Sequence, residues 1–353
     1  MIVDDLIKQS NSWISTRESS GVVISSRIRL ARNVSGVAFP GWAGSEDRRK
    51  LFDDLSMALA SLDLMEDAVV LPVDEFNEVD RVVLCERRLI SRDMIEKGAG
   101  SGLVVSAKQR VAVMINEEDH LRMQLIRPGL NLRSAWKLLD RIDTELEKHV
   151  SYAFSPDFGY LTACPSNVGI GMRVSIMVHL PGLKLMDEID SVVTGLNRMG
   201  MAVRGTFGEG SDTFGNMYQV SNETTLGVTE VDTVNLIHDI AGTLVELEKS
   251  ARARLMQKRE IYLRDYIQRA FGISMYAQVT SSGEALDLLS ALRLGLEFGM
   301  LTGVTLSRIN KLMLLVQPGH LQKNAKDRLS VDERDELRAD VMRKKLKGIE
   351  LVR

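Results

Sequence analysis

Residues 22–32 read VVISSRIRLAR, a run with the apolar content of a core strand and three arginines within six residues. In an extended chain, side chains two apart share a face. Ile24, Ser26, Ile28 and Leu30 therefore fall on one side, and Ser25, Arg27 and Arg29 on the other. One face can pack into a core while the other holds a hydroxyl and two guanidinium forks side by side. Those forks repel one another unless an anion, above all a phosphate, lies between them. A strand whose polar face simply meets solvent is the plainer alternative, because charged residues usually cover surfaces.

The rest of the chain narrows the choice. Its 353 residues suffice for one large domain or two ordinary ones, and a hydrophobic fraction of 44% with 26% charged residues suits a soluble globular protein. The net charge of −3 excludes a polybasic nucleic-acid binder, so any arginine cluster is local. The first residues, MIVDDLIKQSNSW, carry acids and no long apolar run, which predicts neither a leader nor a membrane span and a cytoplasmic location. Cys85 and Cys164 are too few for a disulfide framework. The histidines at 120, 149, 179, 238 and 320 lack ligand spacing, so no protein-held metal is expected.

Periodicity predicts a helix over 46–62, a short buried strand over 81–85 (RVVLC), and an antiparallel hairpin from GLVVSAKQ and RVAVMIN turning near Lys108. A helix near 131–149, a Gly- and Pro-rich loop, a strand at RVSIMVHLP, a helix near 184–199 and the strands MAVRG and MYQVSN follow. From 229 the pattern is helical: 229–258, then helices near 259–270, 282–298, 304–316 and 331–347. An α+β domain over 1–258 followed by a small helical domain over 259–353 is expected.

Four constellations carry chemistry. NEEDHLR sets Glu117, Glu118, Asp119, His120 and Arg122 at a strand end, where a carboxylate can act as a base or the acids can merely cap a helix. CPSNVGIG offers Cys164 and Asn167, although a lone cysteine is more often a small buried hydrophobe. Arg173 opens RVSIM on the parity of Ser175. VRGTFGEGS puts Arg204 and Glu209 around a glycine turn that lacks the GxxxxGK phosphate-loop pattern. Arg27, Arg29, Arg122, Arg173 and Arg204 converging on one pocket would suit a nucleoside triphosphate. Glu118 and Glu209 are then left to grip a cationic acceptor.

SSRIRLAR, NEEDHLR, CPSN followed by GxG, and RGxxGEG, in this order, resemble the phosphagen (guanidino) kinase family, and within it the bacterial branch acting on arginine in proteins. Three features favour that branch: SSRIR begins at Ser25, with no room for the helical N-terminal domain of creatine and arginine kinases; a helical C-terminal domain is present; and ERDELRA matches the branch's RDxxRA motif. The resemblance implies an antiparallel sheet flanked by helices and transfer of the ATP γ-phosphoryl group to arginine side chains, with Mg²⁺ held mainly by the nucleotide. It implies ATP contacts along Ser25, Ser26, Arg27, Ile28 and Arg29, at Arg122, at Arg173, Val174, Ser175, Ile176 and Met177, and at Arg204, Gly205, Thr206, Phe207 and Gly208. Arg88, in ERRLIS, stands where relatives place a histidine on the nucleotide, and Ile170 stands where they place threonine in GTG.

By the same resemblance Glu118 and Glu209 hold the acceptor guanidinium, with Cys164 and Asn167 nearby. Arg334, Asp335, Arg338 and Ala339 form a separate phosphoarginine site that biases a homodimer built through the helical domain. Protein substrates and the machinery of regulated proteolysis are the implied partners, and neither nucleic acid nor membrane is. A kinase for a small free guanidino compound, or a nucleotide-sensing adaptor without catalysis, are the rival readings. Retention of Glu118 and Glu209 speaks against the adaptor.

Overall fold

In the computed structural model, residues 4, 6, 7, 21–205, 213–325 and 327–352 are described. Strands pair in the order β2-β3-β4-β5-β1-β8-β10-β9. These are β1 (Val23–Arg32), β2 (Val69–Pro72), β3 (Gly102–Val105), β4 (Val111–Ile115), β5 (Leu121–Pro128), β8 (Met172–His179), β9 (Met201–Gly205) and β10 (Met217–Asn222), while β6 (Phe154–Ser155) and β7 (Gly159–Tyr160) form a separate small hairpin. The chain divides into two compact units, one built mainly on Ser25–Ile176 and Ser221–Asp239, the other mainly on Met177–Val220 and Ile240–Arg353.

In the first unit β3 and β4 are buried at every position, whereas β1 leaves Arg27 and Arg29 half-buried on one face. Ile28 and Leu30 are fully buried, and β1 pairs antiparallel with β5 so that Arg29 faces Gln124 and Ala31 faces Arg122. This register adds Arg122 to the face of Arg27 and Arg29. Helix α1 (Ser45–Ala60) buries Phe52, Leu55, Ser56 and Leu59, a spacing of three and four that makes one stripe. The predicted strand at 81–85 is instead part of α2 (Glu78–Glu86). The Asn77 side chain caps this helix by accepting from the Asp80 N–H at 2.8 Å, and Val83 and Leu84 turn inward. A one-turn helix, α3 (Arg92–Ile95), starts at Ser91, whose Oγ accepts from the Met94 N–H at 3.1 Å. The longer α4 (Leu132–Glu147) lies along β5 and buries Leu132, Ala135, Leu139, Ile142 and Leu146. Its Asp143 ion-pairs with the buried Arg32 at 2.7 Å, and the Arg32 guanidinium lies 3.5 Å from the centre of the Tyr160 ring.

In the second unit the helix expected over 184–199 is two, α5 (Pro181–Leu185) and α6 (Ile189–Arg198), because Asp187 takes φ +61° between them. After α7 (Glu230–Lys258) come α8 (Glu260–Tyr276), α9 (Ser282–Glu297), α10 (Leu306–Leu315), the unforeseen α11 (Pro318–Asn324), and α12 (Val331–Leu346). Two-residue strands β11 (Leu301–Thr302) and β12 (Glu350–Leu351) also pair. Helix α9 is central: ten of its residues, from Ala285 to Gly295, are buried. A Cβ at Gly295 would stand 2.7 Å from both Ile267 and Leu301, so only glycine admits this approach of α8 and β11. Among the described residues no helix is long and apolar enough to cross a membrane.

Candidate active site

Arg27 and Arg29 do not sit on an ordinary solvated face. Both are half-buried among further arginines, with the Glu117 carboxylate also acting on Arg29. Burial, then repulsion from Arg88, Arg122 and Arg173, pushes the Arg27 guanidinium down to about 9. Arg29 is pushed well below its usual value by burial and by Arg27, Arg122 and Arg173, with Glu117 the opposing influence. An arginine stays charged at neutral pH, so these depressions register first the cost of burying the charge and then repulsion among the guanidinium groups. Arg29 Nε is also buried with no hydrogen-bond partner among the described residues. A cluster of forked donors grouped around Glu117 fits the oxygens of a polyphosphate.

Local structure explains the convergence. Ser175 follows Arg173 at the parity spacing on β8, and its Oγ accepts from Arg27 Nε at 3.5 Å. Arg88, at φ +62°, ends the turn after α2, where Gln124 Nε2 from the arginine face donates to the carbonyls of Arg88 (2.6 Å) and Leu89 (3.1 Å). Burial lowers Arg88 to about 10. Of the other expected ATP contacts, Ser25 is buried. Ser26 is committed elsewhere, its Oγ donating to the Gly129 carbonyl (2.7 Å) and accepting from the Asn131 N–H (2.9 Å). Ile28, Val174 and Ile176 are core residues, and Met177 is buried in the second unit. That unit also carries Arg204, exposed on β9, and Gly205. Thr206, Phe207, Gly208 and Glu209 lie outside the described residues.

The acids divide by neighbour. Glu117 is fully buried and pairs with Arg122 and the Ser91 hydroxyl. Burial pushes its carboxyl up, but Arg122, Ser91 and the Glu118 N–H outweigh that and hold it below the usual range. Glu118, the next residue, is exposed and goes the other way, raised by partial burial and by Asp119 and Glu117. Asp119 ties the turn together: its Oδ1 accepts from Asn33 Nδ2 (2.6 Å) and the Ala163 N–H (2.7 Å), which anchors the loop entering Cys164. Cys164 Sγ lies 3.0 Å from Ser166 Oγ, and Asn167 is half-buried in the following 3-10 turn. A cavity of about 460 Å³ opens over Glu118 and is lined as well by Phe39, Trp42, Asp93 and Lys97. These four were not singled out from the sequence; the turn-forming FPGW stretch was the signal for Phe39 and Trp42, and Asp93 and Lys97 had none. Among the described residues no group of three or more metal-ligating side chains is assembled.

In the second unit, the turn leading into β10 is gripped by α9. The Gly215 N–H donates to Asp287 Oδ1 at 2.7 Å and Asn216 Nδ2 to Ser290 Oγ at 2.9 Å, with φ +66° and +52° at the two residues. Ser290 Oγ also meets His179 Nε2 (2.8 Å), whose Nδ1 faces Arg293 (2.6 Å). On α12, Arg338 is buried with its donors on the carbonyls of Val316 (2.9 Å) and Thr280 (2.8 Å) and on Asp335. Arg334 donates to the Leu329 carbonyl at 3.1 Å, and Ala339 is buried. Asp335 thus already has a guanidinium partner within its own helix.

The described geometry is thus a cluster of half-buried arginines on β1, β5 and β8 and a cavity lined by Glu118 and Asp93. Residues 50–251 match the family described as ATP:guanido phosphotransferase, C-terminal catalytic domain, and the chain belongs to that family. Residues 260–352 match the Protein-arginine kinase McsB C-terminal domain. Relatives called protein-arginine kinase include one from Halothermothrix orenii, 38% identical over 98% of this chain and 99% of that one, and one from Halalkalibacterium halodurans, 40% identical over 93% and 92%. Among solved structures, the duplicated taurocyamine kinase from Schistosoma mansoni with bound transition state analog components is 28% identical, with a TM-score of 0.60, over 76% of this chain and 39% of that longer one. Lombricine kinase shares the fold, with a TM-score of 0.59 and 24% identity over 70% of each chain.

Proposed function

We propose that the chain transfers the γ-phosphoryl group of ATP to arginine side chains of proteins. The observation that carries this is Glu118, a carboxylate with a raised pKa, standing in an acidic cavity next to a cluster of half-buried arginines. Arg27, Arg29, Arg88, Arg122 and Arg173 hold the phosphates of the nucleotide, Arg204 is given a nucleotide role by the family likeness alone, and Mg²⁺ travels on the nucleotide oxygens. A guanidinium is a poor nucleophile while charged and delocalised. Glu118, with Glu209, orients one of its nitrogens in line with the γ-phosphorus and accepts a proton from it as the N–P bond forms and the bond to ADP breaks. Glu117 acts on the donor side by fixing Arg122.

The match of the C-terminal residues to the arginine-kinase domain supports a protein acceptor. By the same likeness we infer a cytoplasmic homodimer, a role in marking proteins for regulated proteolysis, and stimulation by phosphoarginine at Arg334, Asp335, Arg338 and Ala339. The exposed Ile261 and Tyr276 on α8 supply apolar surface for such a dimer. The deciding experiment incubates the enzyme with ATP and an unfolded arginine-rich protein, or with free arginine. Products are analysed by mass spectrometry at neutral pH, since acid hydrolyses the N–P bond. Phosphoarginine in the protein supports the reading, and transfer to free arginine alone refutes it.

A further inference from the structure

The cavity over Glu118 has one wall that the chemistry of phosphoryl transfer does not require. Trp42 is 91% exposed at its rim, the most exposed large apolar side chain among the described residues. Leaving an indole in water forgoes a large apolar burial, yet the loop that presents it is firmly held. The N–H groups of Trp42 and Ala43 donate to the Phe39 carbonyl at 2.8 and 3.0 Å. Phe39 meets the His120 ring edge-on at 6.0 Å, His120 Nε2 bonds the Ala38 carbonyl at 3.0 Å, and its Nδ1 accepts from the Val34 N–H at 3.0 Å. His120 lies two residues from Glu118, so the loop that carries Trp42 and the turn that carries Glu118 are tied to one another. Across the cavity Asp93 adds a second negative charge, close enough to push Glu118 upward.

An acidic floor with an exposed aromatic rim complements a cationic side chain whose attached chain continues outward. We propose that this cavity seats the polypeptide around the target arginine: the guanidinium at Glu118, and the backbone and residues flanking that arginine against the indole of Trp42. The inference rests on the function proposed above and makes Trp42 a specificity residue for peptide-borne arginine. Indoles dominate contact energies at such rims because they bring large rigid area at low entropic cost.

Two measurements test it on the full-length enzyme. With a peptide carrying one arginine, Trp42→Ala raises the peptide KM about tenfold while kcat and the KM for ATP stay within twofold, and Trp42→Phe recovers most of the loss. Independently, adding the peptide to nucleotide-free enzyme shifts indole emission to shorter wavelength, and Trp42→Phe abolishes that shift although Trp13 and Trp136 remain. An unchanged peptide KM in Trp42→Ala, or the same emission shift in Trp42→Phe, overturns the proposal. Should the parent enzyme phosphorylate no protein, the function proposed above fails, and the emission titration still decides whether the cavity takes peptide.

Discussion

Glu117 and Glu118 are neighbours in sequence with opposite electrostatics: the first is buried against Arg122 and held ionised, the second faces a cavity with its carboxyl raised. Under the proposed function this split gives Glu117 to the nucleotide side and Glu118 to the acceptor, which sets the first prediction. Glu118→Gln abolishes transfer by at least about 100-fold, the scale of a lost general base, and leaves ATP affinity by calorimetry within twofold of the parent.

Glu117→Gln behaves differently. It removes the charge that fixes Arg122, so the KM for ATP rises, and the loss of a buried charge-assisted bond costs about 1–3 kcal/mol of stability. Thermal unfolding and ATP titration of the same sample check both effects. A variant with unchanged melting and unchanged ATP affinity contradicts the role given to this pair.

The raised carboxyl of Glu118 fixes the direction of a pH effect. A group with a raised pKa takes its proton at higher pH than an ordinary glutamate, so the base form is lost earlier on acidification. The acid limb of kcat/KM therefore lies above the ~4.3 of an unperturbed glutamate. A profile whose acid limb falls at or below that value excludes Glu118 as the proton acceptor.

Burial, and then repulsion from Arg27, Arg122 and Arg173, disfavours the charged Arg29 guanidinium, with Glu117 opposing. Arg29→Gln relieves that repulsion, so the nucleotide-free variant melts no lower than the parent while its affinity for ATP drops at least about tenfold, the worth of one charge-assisted contact. A variant that melts several degrees lower without nucleotide would show that Arg29 stabilises the resting fold instead.

On α12 the expectation reverses. Arg338→Ala strands the Val316 and Thr280 carbonyls and the Asp335 carboxylate, a loss of about 3 kcal/mol, whereas Arg334→Ala stays within about 0.5–1 kcal/mol. Arg334→Ala is thus the cleaner variant for testing stimulation by phosphoarginine, read as the ratio of stimulated to basal rate.

The arginine face of β1 was legible because strand alternation needs no long-range information. What surrounds it was not: Gln124 and Arg88 are brought in by the β1–β5 register and by a left-handed turn after α2, both set by tertiary pairing. RVVLC misleads as a strand because its four-residue apolar run has no period long enough to distinguish a buried helix from a buried strand; the Asn77 cap was the discriminating signal. Asp335 and Arg338 were legible as a pair three residues apart. That the pair is buried against two carbonyls depends on α10 and on the 277–281 segment, which no local pattern announces.

The arginine cradle also bears on how long the molecule lasts. A fold that holds repelling cations in place is at its weakest when nothing neutralises them, and a ligand bound only by the native state adds about 2.7 kcal/mol at one hundred times its dissociation constant. On the function proposed above, triphosphate bound at this cluster stabilises the native chain, and melting with and without the nucleotide reads that gain.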